Sequence, residues 1–328
     1  MNLLLSKLMP VGTALAAVAA VSLWLAGGPR EESVVRVPGM DNAPTKEEVA
    51  QEPVKLEGTV IKGTAKPADI PGSWPGFRGE GLDNVVRSEA ALAREWPPGG
   101  PPKLWQLELT EGYAAAAVLD GRVYVHDYDR EAGQEVFRCL SLEEGGEIWR
   151  FVYTVKIKMN HGITRTVPAV TPDHVVGFGP LCHVICLDAR TGEKRWMMDL
   201  VRQHGATVPP WYAGQCPLIE DGKAILAPGG PEALLMAVDC ATGDILWKTP
   251  NPDEWKMTHA SIVPVEYAGR RMYVYPAHRG VVGVSAEDGA LLWKTGEWRI
   301  SIATVPSPLP LPGGRLFLTG GYNAGSMI

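Results

Sequence analysis

The 328-residue chain has no cluster of lysines and arginines that could follow a phosphate backbone, and its formal net charge is −6 with a pI near 5.7. That balance argues against nucleic acid as a partner. It also has no disulfide framework. Its five cysteines (Cys139, Cys182, Cys186, Cys216, Cys240) are an odd count without scaffold spacing, and no Cys-x-x-Cys-His haem-attachment run occurs. Cys182, His183 and Cys186 raise the question of zinc, but on a strand the two thiols share one face while the imidazole points to the other. The cysteines therefore read as small buried core residues. Long apolar runs are scarce too: one occurs, at the N-terminus.

That run, "MNLLLSKLMPVGTALAAVAAVSLWLAGG", places Lys7 and the amino terminus before about twenty apolar or small residues, enough to cross a hydrocarbon core of ~30 Å. Residues 1–28 read as a transmembrane anchor or signal segment, with 8–28 in the membrane. Ala26-Gly27-Gly28 offers a small-x-small cleavage site, but Pro29 would follow the cut, which favours an uncleaved anchor over secretion to the periplasm. The positive-inside rule then keeps the short N-terminus in the cytoplasm of a bacterial inner membrane and puts the rest in the periplasm. Residues 29–72 mix both charge signs with prolines and show no sustained apolar period, as a solvated linker does.

Glycine (37) and proline (28) are abundant at an ordinary hydrophobic content of 45%, the composition of a folded, turn-rich chain. From residue 73 onward the sequence repeats. Trp105, Trp149, Trp196, Trp247 and Trp293 lie 44, 47, 51 and 46 residues apart. Four of them close hairpins of one shape: "CLSLEEGGEIWR", "CLDARTGEKRWM", "AVDCATGDILWK" and "GVSAEDGALLWK", each with a turn glycine (Gly145, Gly192, Gly243, Gly289). Before them, apolar runs broken by Asp120-Gly121, Asp221-Gly222 and Gly313-Gly314 are two-residue hairpin signals, because such a turn needs positive φ. "VPAVTPDHVVGFG" and "VPVEYAGRRMYVYP" occupy matching places with weaker turns. Each period thus holds four strands, the count of a β-propeller blade. Complete blades are expected over about 113–153, 165–200, 213–249 and 259–295, with a fifth near Ile302 showing two clear strands. "KLWQLEL" at 103–109 reads as an isolated fourth strand that completes the last blade and closes the ring.

The Asp-x-x-Thr-Gly-x-x-x-Trp hairpins (Asp188, Thr191, Gly192, Trp196; Asp239, Thr242, Gly243, Trp247) resemble the tryptophan-docking motif of the PQQ-like β-propellers. That family includes quinoprotein alcohol dehydrogenases and a lipoprotein of the outer-membrane barrel assembly machinery. "SWPGFRGEGLDNV" (73–85) and "DLVRQHGATVPPWYAGQCPL" (199–218) are similar to segments of its envelope members, so the resemblance covers 73–328. It implies that Trp105, Trp149, Trp196, Trp247 and Trp293 dock blades together, with Gly289 in the matching turn of the fourth hairpin. In the first and fourth hairpins, Gly145-Gly146 and Glu287-Asp288-Gly289 stand where Thr-Gly is expected. Relatives usually carry seven or eight blades, so the chain reads as truncated from a longer propeller.

Many relatives bind PQQ with calcium in the central channel, and the enzymes hold PQQ against a ring of two adjacent disulfide-bonded cysteines. This sequence has no Cys-Cys pair. A calcium ion needs several converging oxygen ligands, and no such set can be assembled. "DYDREAGQE" alternates Asp127, Asp129 and Glu131, but Ala132 and Arg138 stand where a calcium loop needs Gly and Glu, so it reads as a solvated hairpin loop. No catalytic residue and no metal site are expected. The residues leading onto the channel-lining strands, Tyr113, Arg165, Tyr212 and His259, are the candidate binding rim, fed by connections carrying His161, His204, Trp211, Trp255 and Lys256. The expectation is a membrane-tethered, periplasm-facing propeller without cofactor, a non-catalytic scaffold for protein partners in the envelope. The alternatives are a PQQ-dependent oxidoreductase, or an outer-membrane assembly factor-like propeller.

Overall fold

Alternating apolar residues and two-residue turns build the chain from Thr59 to Met327 into five antiparallel sheets. The computed structural model describes residues 15–23, 54–87, 93–158 and 161–328. The chain divides into two units, Met1–Pro38 and Gly39–Ile328. In the first, residues 15–23 form an exposed helix, α1; no helix among the described residues is long and apolar enough to cross a membrane. The rest of the expected anchor, residues 1–14 and 24–28, lies outside the described residues, as does most of the expected linker, 29–53.

The second unit begins with β1 (Thr59–Lys62). The first sheet continues with β2 (Ala117–Leu119), β3 (Arg122–Asp129), β4 (Gln134–Ser141) and β5 (Glu147–Thr154). The second holds β6 (Ala169–Val170), β7 (His174–Phe178), β8 (His183–Asp188) and β9 (Lys194–Asp199), followed by a short helix, α2 (Leu200–His204). The third holds β10 (Leu218–Glu220), β11 (Lys223–Leu226), β12 (Met236–Asp239) and β13 (Ile245–Lys248); the fourth holds β14 (Val263–Tyr267), β15 (Arg270–Ala277), β16 (Gly280–Ser285) and β17 (Leu291–Thr295). A fifth sheet contains β18 (Leu309–Leu311), β19 (Arg315–Gly320) and β20 (Gly325–Met327). Asp120-Gly121 turns β2 into β3 with both residues at positive φ, 49° and 67°, as the two-residue hairpin requires. The turn "AG" between β14 and β15, weaker on paper, does the same through Ala268 and Gly269.

The second, third and fourth sheets are buried on both faces, so their strands sort their side chains alternately into two different cores. In β8, Ile185 and Leu187 join the cluster shared with the first sheet, whereas Val184 and Cys186 join the cluster shared with the third. In β15, Tyr273 and Tyr275 face the third sheet and Met272 and Val274 face the fifth. The short strands β2, β6 and β10 lie side by side, so the sheets stand next to one another with their first strands innermost.

Across each seam a tryptophan lies on a glycine. The Gly192 backbone is left-handed, φ 74°, and a Cβ there would come within 2.5 Å of the Trp149 ring. Only a residue lacking that carbon lets the indole lie flat on the turn. Asp188 shapes the turn by accepting from the backbone N–H groups of Arg190 (3.0 Å) and Thr191 (2.8 Å), and the Thr191 hydroxyl accepts from Glu193 N–H. Asp239, Thr242 and Gly243 repeat this beneath Trp196. Gly145 lies under Trp105 and Gly289 under Trp247. Gly145 is therefore in register with Gly192, and Glu144 stands at the threonine position, not Gly145. The indole N–H groups of Trp105, Trp149 and Trp196 donate to the carbonyls of Leu142, Ala189 and Cys240 at 2.9, 3.2 and 2.9 Å; that of Trp247 has no partner among the described residues. Trp293 lies against Gly283 of its own sheet.

Four expectations are corrected. Thr59–Lys62, read as linker, pairs antiparallel with β5 as a fifth strand, because the outer edge of β5 offers unpaired backbone groups. The segment 103–109 is not a strand: it docks Trp105 on the first sheet without a ladder partner of its own. The fifth sheet has three strands, since "GSM" pairs with β19 despite its weak strand propensity. Cys182, expected on a strand, sits in the turn before β8 with φ 67°.

Trp149 is 1% exposed, so Trp149→Ala is expected to cost about 3–5 kcal/mol in urea unfolding, and Trp105→Ala, with its half-buried ring, distinctly less. Equal midpoints for Trp149→Ala and the parent chain would show that the seams are not what holds the sheets together.

Candidate functional site

The connections from β5 to β6, from β9 to β10 and from β13 to β14 all lead onto innermost strands, and they meet at one end of the sheets. The second begins with α2, capped by Asp199, whose carboxylate accepts from Val201 and Arg202 N–H, and closed by left-handed Gly205. The chain then reaches Pro209, Pro210, Trp211 and Tyr212. Both aromatics are left-handed, φ 62° and 71°, which costs free energy for residues with a Cβ and persists only where neighbours over-determine it. Those neighbours are visible. Tyr212 N–H donates to Pro209 O at 3.0 Å, Ala213 N–H donates to Pro180 O at 2.9 Å, and the Tyr212 hydroxyl donates to Lys158 O.

His259 closes the cluster. Its Nε2–H donates to Pro210 O at 2.7 Å, and its ring lies 6.0 Å from that of Trp211, which in turn lies 6.2 Å from His161. Burial lowers the His259 pKa; the Pro210 bond opposes that shift, and the nearby Arg165 cation adds to it. Burial therefore favours the neutral imidazole.

Arg165 is the unusual member. Its Nε and Nη2 are buried and have no hydrogen-bond partner among the described residues. Burial lowers the guanidinium pKa, and Tyr212 works in the other direction. Open donors of this kind are ones that an anionic acceptor would satisfy. Tyr113 stands at the edge, 68% exposed, with its ring over Gly162 and its N–H on Thr164 O at 2.8 Å. The structure thus groups Arg165, Tyr212 and His259, adds Trp211 and His161, and leaves Tyr113 as the outward-facing neighbour. His204, Trp255 and Lys256 belong to other contacts: His204 ends α2, Trp255 O accepts from Asn251, and Lys256 N–H donates to His278.

Sequence reasoning misses a buried polar chain between the first two sheets. His126, stacked on Phe137 at 4.1 Å, meets Glu135 at 2.9 Å; Thr166 approaches the other imidazole nitrogen at 3.5 Å. Further along, Tyr153 meets His183 at 3.4 Å, and His183 lies 3.9 Å from Asp199. Burial first, then Glu135, drives the Tyr153 phenol well above its ordinary pKa. The available signal was His126 and Glu135 standing at inward positions of otherwise apolar strands. Asp127, considered for calcium, is instead fully buried on β3 and paired with Arg138 at 2.9 Å, while Asp129 accepts from Ala132 N–H.

Among the described residues no three His, Cys, Asp or Glu side chains come together to hold a metal ion. The sequence also holds no adjacent cysteine pair.

A family model described as outer membrane protein assembly factor BamB matches residues 102–209 and 182–323. Among solved structures, BamB from Moraxella catarrhalis is similar at 15% identity and a TM-score of 0.44, over 68% of this chain and 71% of that one. A europium-containing methanol dehydrogenase is similar at 15% and 0.42, over 58% and 43%, and the quinohemoprotein alcohol dehydrogenase of Comamonas testosteroni at 17% and 0.38, over 55% and 34%. The chain therefore spans less than half the length of either dehydrogenase. No curated protein matches it.

Two outcomes are expected. Arg165→Met removes a buried cation without a partner, so stability stays level or rises by up to about 1 kcal/mol in urea unfolding; a large loss would assign Arg165 to packing. Because the folded-state pKa of His259 is lowered, stability is full above the unfolded value, about 6.5, and falls as pH drops below it. His204 and His278 act in the same direction. Unfolding measured between neutral and mildly acidic pH should show a shallower decline for His259→Gln; an unchanged slope would remove His259 from the account.

Proposed function

This chain belongs to the PQQ-like β-propeller family, and we propose that it acts as a non-catalytic protein-interaction scaffold of the bacterial envelope, tethered at the inner membrane through residues 8–28 with its sheets in the periplasm. The observation that carries the reading is Arg165, a half-buried guanidinium with two unsatisfied donors beside Tyr212 and His259, the latter packed on Trp211. A rigid cluster of aromatics around one arginine has the composition of a binding hot spot. The matched family model, described as an outer membrane assembly factor, supports a protein as the occupant. A PQQ-dependent oxidoreductase is the weaker reading because the sequence holds no adjacent cysteine pair, and no cofactor enters the proposal.

The test is site-specific photo-crosslinking in the native envelope from Tyr113, with Tyr267, exposed on β14, as the control position. A discrete adduct from Tyr113 that weakens at least about tenfold with Arg165→Ala is expected. Equal labelling from both positions, or an adduct indifferent to Arg165, would refute the rim as the docking surface. Quinone-dependent dye reduction by the full chain would overturn the non-catalytic reading.

A further inference from the structure

The seam between the second and third sheets differs from the others in one chemical respect. In each hairpin a small residue lies across the strand pair from the docking tryptophan: Cys139 opposite Trp149, Cys186 opposite Trp196, Ala237 opposite Trp247. Two of those indoles donate into the turn of the next sheet, to Ala189 O and Cys240 O. The repeat therefore sets residue 139 against 189, 186 against 240, and 237 against 286. Those pairs read Cys and Ala, Cys and Cys, Ala and Ala.

At the middle seam two cysteines face each other. The Cys186 thiol donates to Cys240 O at 3.3 Å. Both side chains belong to one apolar cluster and are 0% exposed. Both are free thiols in this structure. The contact with Cys240 and burial together push the Cys186 thiol far above its ordinary pKa, so the closed seam suppresses the thiolate that disulfide chemistry needs.

We propose that Cys186 and Cys240 are a disulfide-forming pair that locks the second sheet to the third, and that the bond forms while the seam is still open during folding. The oxidant is a disulfide-bearing molecule, protein or glutathione. The first cysteine thiolate attacks it, forms a mixed disulfide and releases one thiolate. The second thiolate then attacks the mixed disulfide, forms the Cys186–Cys240 bond and releases the other. Two protons and two electrons leave the protein, and the oxidant is reduced to two thiols. Once the sheets pack, apolar burial shields the bond from reductants. It closes a loop of more than fifty residues. Long loops are where a cross-link restrains the unfolded chain most.

The experiment refolds the full chain with oxidised and reduced glutathione, then unfolds it in alkylating reagent and measures its intact mass. The expected product is lighter by about 2 Da before alkylation, with two of its five cysteines unlabelled and one cross-linked peptide joining Cys186 to Cys240. Cys186→Ala and Cys240→Ala should each abolish it, and Cys139→Ala should leave it intact. Reductant added during unfolding should lower the oxidised chain's thermal midpoint by roughly 10 °C and leave the Cys186→Ala midpoint unchanged. Five labelled cysteines after oxidative refolding, or a bond involving any other pair, overturns the proposal.

Discussion

An indole ring can lie flat on a neighbouring sheet only where the turn beneath it presents no Cβ. That single steric demand, met at Gly145, Gly192, Gly243 and Gly289, makes a row of separate hairpin sheets into one body. Everything inboard of the seams follows. Sheets held at a fixed spacing must bury both faces, so their strands are apolar on both sides. Their innermost strands line up, and the connections between them converge at one end. Because the demand recurs about every forty-seven residues, a mistake at one seam is local.

The parts of this architecture that are local in sequence were legible in it. Aspartate, threonine and glycine shape their turn within a few residues of one another, and Asp-Gly turns reverse the chain wherever they fall. What was not legible depends on tertiary neighbours. Thr59–Lys62 is a strand only because β5 has a free edge, and Gly325–Met327 only because β19 lies beside it. His126 and Glu135 stand at inward positions of their strands, but only the packing of two sheets seals them from water and against each other. At the rim, the repeat put Arg165, Tyr212 and His259 in matching places. The left-handed turn at Trp211 and Tyr212 that brings them together has no glycine at either left-handed position to announce it.

The rim and the seams make opposite use of free energy. At the seams most polar groups are satisfied, with each docking turn spending its side chains on its own backbone. At the rim, two bulky residues occupy an unfavourable backbone region and two donors of a half-buried guanidinium are left without a partner among the described residues. Strain and unmet donors are thus concentrated at one end of a fold whose seams are mostly satisfied.

The fifth strand of the first sheet also has a mechanical meaning. Thr59–Lys62 runs antiparallel along β5, and flanking contacts extend its grip to the next sheet: Lys62 reaches Thr191 O, and Lys194 reaches Leu56 O at 2.7 Å. A tug on the chain ahead of residue 54, directed along the strand, loads this ladder in shear, with its hydrogen bonds stretched together instead of one after another. The force is shared by two sheets before it reaches any docking tryptophan. The β1 ladder therefore resists such a load as a unit, with the two lysine contacts adding anchorage on the second sheet.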